Sequence, residues 1–137
     1  MKKRFLYLLL PIITLILEIL PYGAVCNFSD GPTSIIRKTF SYFSIIPFGY
    51  ANFAPLITAV LTCVVLILLL LYCFTGKDNW ATKSKIVLSI GAVISFGPLL
   101  FGIRYFSAVG LLISLGLIAE LALLHFTLNL TDTEQVE

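Results

Sequence analysis

Charged residues are scarce in this sequence: Asp, Glu, Lys and Arg make up 12% of its 137 residues, about half the share found in ordinary soluble domains. A chain that is 59% hydrophobic then has too few polar groups to cover a water-facing surface, which excludes a soluble globular fold. There is one His and there are three Cys, with no grouping at metal-ligand spacing. A glycine-rich phosphate loop and a nucleophile with a matching base are also missing, so the sequence supports no enzyme, metal or cofactor reading. Cys63 and Cys73 fall in one apolar run while Cys26 stands apart, which gives no disulfide framework. With a net charge of +2 and no basic stretch interleaved with aromatics, nucleic acid is not an expected partner.

What is present is a set of apolar blocks. A helix needs about 20 residues to cross the roughly 30 Å hydrocarbon layer, and blocks of about that length cover 5–22, 56–74, 86–103 and 108–126. The expected fold is therefore an all-α integral membrane protein: a four-transmembrane-helix bundle in a single membrane domain, 1–137, with the lipid bilayer as its first partner. Pro11 and Pro21 predict a kinked or locally opened first span. Pro55 suits the first turn of the second span.

The segment 23–55 is long for a connection and rich in Phe, Tyr, Ile, Ser and Thr. Over 33–46 these β-branched and aromatic residues predict a short strand or hairpin, and over 47–55 a re-entrant turn at headgroup level. The connection 76–85 is basic and carries Trp80, so a polar cytoplasmic loop is expected there. The acidic segment 127–137 lacks an apolar period and is expected to be a disordered tail. Asn27-Phe28-Ser29 fits the glycosylation acceptor pattern, which short sequences often match by chance.

Short cytoplasmic loops carry excess Lys and Arg. Six of the nine such residues (Lys2, Lys3, Arg4, Lys77, Lys83, Lys85) lie on one side of this layout, and Arg37, Lys38 and Arg104 on the other. Both termini are thus expected in the cytoplasm, with the chain in the plasma membrane. The basic start, apolar stretch and Gly23-Ala24-Val25-Cys26 superficially match a cleaved leader, but Glu18 interrupts the apolar run and Val25 is bulky for a residue preceding a lipidated cysteine.

Two carboxylates fall inside the spans, where a charge costs about 2.5–3.5 kcal/mol on insertion scales and marks a functional candidate by default. Tyr7, Pro11, Thr14, Glu18 and Tyr22 share one helical face, and Glu18 lies about one turn from the outer exit. Arg104 ends the third span on that side, so a Glu18–Arg104 ion pair is the structural expectation, with proton or cation binding as the alternative. Glu120 lies near the midplane, beyond the reach of Arg104, where a neutral interhelical hydrogen bond is expected ahead of ion handling. His125 reads as an interfacial residue. Gly91/Ser95, Gly110/Ser114 and Thr58/Ala59/Thr62/Cys63 form small-residue faces suited to close helix packing, and they are expected to meet each other or the Glu18 face, or alternatively to mediate self-association. The functional expectation is a small non-enzymatic membrane protein of interaction or accessory type. The alternative is a small transporter or channel subunit that uses Glu18 or Glu120 for proton or cation coupling.

Overall fold

The computed structural model describes residues 3–136, and of 131–136 the backbone only; Lys2 and Glu137 lie outside the described residues. A 3-10 turn, Arg4–Leu8, leads into helix α1, Leu9–Ile19. Pro11 accounts for the change of winding, because it has no N–H to donate to the carbonyl of Tyr7 and its ring crowds that carbonyl. Pro21 ends the helix early: the residue before a proline is driven out of the α region, and Leu20 is extended at φ −61°, ψ 140°. Tyr22 is therefore off the helix and exposed, whereas Pro11, Thr14 and Glu18 are buried on the expected face.

The chain then folds back as an antiparallel hairpin of β1, Ala24–Ser29, and β2, Ile35–Phe40, in register from Ala24↔Phe40 to Ser29↔Ile35. The expected hairpin is present, but its first strand lies upstream of 33–46, and β2 supplies only the first part of that segment. Ala24, Val25 and Cys26 are buried while β2 is largely exposed, so β1 is the strand that seats the hairpin on the bundle. In place of a pure turn at 47–55 there is a one-turn helix, α2, Ile45–Gly49, whose first turn is capped by the Ser44 hydroxyl accepting from Ile46 N–H at 3.3 Å.

Helix α3 spans Ala54–Thr75, with Pro55 in its first turn as expected, and ends at Gly76 in the left-handed conformation, φ +67°. Helix α4, Asp78–Ser95, starts almost at once. The polar loop expected over 76–85 is thus a correction: only Gly76 and Lys77 connect α3 to α4. The residues 78–85 are polar, yet they include no Gly or Pro, and Asp78 in the first turn complements the helix dipole. Polarity marks where the membrane ends, not where the helix does. Gly97-Pro98 breaks the third rod into α4 and the short α5, Gly97–Leu100, followed by a 3-10 turn, Ile103–Tyr105.

Helix α6 runs Ala108–Val136, which corrects the expected disordered tail. Nothing in 127–136 breaks a helix, the Thr127 hydroxyl donates back to the carbonyl of Leu123 at 2.7 Å, and elongating an existing helix costs little.

Three helices are long and apolar enough to cross a membrane: Ala54–Thr75, Asp78–Leu100 and Ala108–Leu130. With α1 they close a ring in which α1 packs on α3 and α6, and α4 packs on the same two. Ala59, Val65, Leu69, Leu88, Ile113, Leu117 and Leu124 fill the interior. The small-residue faces point inward as well: Gly91, Ser95, Gly110, Ser114, Thr58, Ala59 and Thr62 are all buried. The outer faces carry exposed Ile, Leu, Val and Phe, while Thr14, Glu18, Thr58, Thr62, Ser84, Ser95, Ser114 and Glu120 are buried. Such a distribution suits lipid as the solvent.

Candidate functional site

The site forms where α1 and α6 cross. These helices run antiparallel, because the segment leaving α1 is tied to the start of α6: the Ser107 hydroxyl donates to Gly23 O at 2.6 Å and accepts from Gly110 N–H at 2.9 Å. They pack tightly at Gly116, where an added Cβ would sit 2.8 Å from Thr14 Oγ1. Glu18 is one turn beyond Thr14 and Glu120 one turn beyond Gly116, so the two residues flank the crossing from opposite sides. Helical side chains lean toward the N-terminus of their own helix. In an antiparallel pair that lean carries both carboxyl groups back toward the crossing.

Helix α3 closes the third wall. Thr62 Oγ1 donates to Glu18 Oε1 at 2.7 Å and lies 3.0 Å from Thr58 O, so one hydroxyl proton serves two acceptors. Glu18 Oε2, both oxygens of Glu120 and Thr58 Oγ1 have no hydrogen-bond partner among the described residues. Glu18 is 0% exposed and Glu120 1%. Four buried oxygens without a hydrogen-bond donor are unusual, since buried polar groups are almost always paired.

Tyr42 roofs the site. Its N–H donates to Glu18 O at 2.9 Å, its ring packs against Gly23, and its hydroxyl lies near Gly110. Loss of water around the phenol pushes its pKa up, and the nearby Glu18 adds to this. Asn52 Nδ2 donates to Val25 O at 3.3 Å, fastening the segment before α3 to the hairpin.

The Glu18–Arg104 ion pair does not form. Arg104 is exposed at the end of the bundle capped by the hairpin, in a cleft with Arg37, because α5 and the 3-10 turn after it carry it outward instead of along the bundle axis. The interhelical hydrogen bond expected for Glu120 is also not made. Arg4, at the opposite end, lies 5.5 Å from the centre of the Tyr72 ring. His125 is exposed, 3.3 Å from Asn129 Nδ2, and among the described residues no group of His, Cys, Asp and Glu is arranged to hold a metal.

Sequence reasoning named both carboxylates and expected the Thr58/Thr62 stripe to meet another small-residue face or the Glu18 face, and the bond from Thr62 to Glu18 is such a meeting. It did not bring Glu120 to that face, and it had no signal for Tyr42, whose role depends on how the hairpin returns to α1. Comparison with known protein families, curated proteins and solved structures finds no match to this chain.

Proposed function

We propose that this chain is a non-enzymatic membrane protein with four spans and both termini in the cytoplasm, and that Glu18 and Glu120 handle protons or small cations. A first span is supported by length: the Arg4–Leu8 turn and α1 rise about 26 Å at roughly 2.0 and 1.5 Å per residue, close to the hydrocarbon thickness. Orientation rests on Lys3, Arg4, Lys77, Lys83 and Lys85 at the end opposite the hairpin, and the plasma membrane is the matching location.

The observation that carries the functional reading is the pair of buried carboxyl groups on facing helices, with three of their four oxygens unpartnered. Ionisable groups in such surroundings mark proton relays and ion pathways. Flux measured in reconstituted vesicles tests it: a pH- or cation-driven flux lost in both Glu18→Gln and Glu120→Gln supports coupling.

Vesicles silent with the unmodified protein favour the second reading, an accessory protein that contacts a membrane partner. That reading draws on the hairpin end, where Ile35, Ile45, Tyr50, Phe101 and Ile103 are exposed together with few charges.

A further inference from the structure

The two arginines that the ion-pair expectation left without a role share one feature of the surface. Arg37 of β2 and Arg104 of the 3-10 turn before α6 line a cleft of about 400 Å³, together with Asn27, Ile35, Ile103 and Phe106. We propose that this cleft binds the headgroup phosphate of an anionic phospholipid.

The cleft is built by tertiary contacts. Ala24 bridges Phe106, and Arg37 Nη2 donates to Phe106 O at 3.3 Å, so the hairpin is fastened to the turn that carries Arg104. That single bond leaves most of the Arg37 N–H groups free, and Arg104 makes no side-chain bond to the described residues. Planar guanidinium groups match phosphate oxygens two at a time. No carboxylate lines the cleft, so the two positive charges are not neutralised within it. For the same reason the ammonium of a zwitterionic headgroup finds no counter-charge there and meets two like charges.

The surroundings favour a lipid over free phosphate. Ile35 and Ile103 border the guanidinium groups and are 64% and 81% exposed, giving an apolar flank along which acyl chains continue from a bound headgroup. Asn27 adds an amide donor at the rim. The distribution of charge points the same way: basic residues are sparse at the hairpin end, yet two of its three line this one cleft. Lys38, the third, lies 6.0 Å from the centre of the Phe28 ring, on the other face of β2 because neighbouring strand residues alternate sides.

Native mass spectrometry of the full chain, released from micelles holding equal amounts of phosphatidylglycerol and phosphatidylcholine, tests the proposal. One phosphatidylglycerol per chain should be retained at least about tenfold over phosphatidylcholine. Arg104→Gln, which breaks no hydrogen bond of the fold, should remove that preference, as should Arg37→Gln, while Lys38→Gln should leave it unchanged. Equal retention of the two lipids would overturn the proposal, and so would an equal loss in Lys38→Gln, which would signal unspecific attraction to positive charge. Complete displacement of the lipid by millimolar inorganic phosphate would also overturn it, assigning the cleft to free phosphate.

Discussion

Replacing Glu120 by Leu separates a carboxyl kept for structure from one kept for function. Both oxygens of Glu120 are buried without a hydrogen-bond partner among the described residues, and an unsatisfied buried polar group costs about 1–3 kcal/mol. Leu has a similar length and no such penalty, and apolar replacement of buried polar groups is often stabilising. Glu120→Leu should therefore raise stability by about 1–3 kcal/mol, or about 5- to 150-fold in the folded-to-unfolded ratio at about 1.4 kcal/mol per tenfold. Glu18→Leu should gain about 1 kcal/mol less, because it also gives up the bond from Thr62. Unfolding of the purified protein in mixed micelles by increasing SDS, followed by circular dichroism, reads both values. If Glu120→Leu loses 1 kcal/mol or more, the carboxyl has a partner that holds the bundle together and the reasoning fails. Stabilisation accompanied by loss of flux in vesicles would show stability given up for activity.

Other consequences follow from the packing. An added Cβ at Gly97 would sit 2.7 Å from Ala54 Cβ, a contact between two atoms fixed to backbone, so Gly97→Ala should lower stability by about 1–3 kcal/mol. The double change Gly97→Ala with Ala54→Gly should restore most of the loss in the same SDS titration; an undiminished loss would place the strain elsewhere. Cys26 is buried in β1 and its thiol pKa is raised by burial. At pH 8 its thiolate fraction is thus smaller than that of a free cysteine, and maleimide labelling in the folded protein should be much slower than after denaturation. Equal rates, read by mass spectrometry of the Cys26 peptide, would mean that β1 does not lie against the bundle.

Much of the architecture is legible in the residues because its causes are local. Within the run 56–74 the section Leu66–Leu71 has no polar face and can only be a buried or lipid-facing helix, and α3 exceeds the run by two residues at the front and one at the back. Pro21 and Gly76 end their helices through backbone restrictions that hold in any context. Where the sequence reading went astray, at 76–85 and 127–137, it took polarity for irregular structure. Polar residues without Gly or Pro extend a helix into water as readily as apolar ones extend it through lipid.

The composition and the order of apolar and basic segments determine by themselves that this chain carries helices long and apolar enough to cross a membrane, roughly where their apolar parts lie, and which two carboxylates are out of place there. These properties depend on transfer free energies and backbone sterics, which act residue by residue. Only the tertiary structure decided that Glu18 accepts from Thr62 while Arg104 joins Arg37 in one cleft. Those pairings follow from the antiparallel crossing at Gly116 and from the way the hairpin seats β1 on the bundle, and both join residues far apart in the chain.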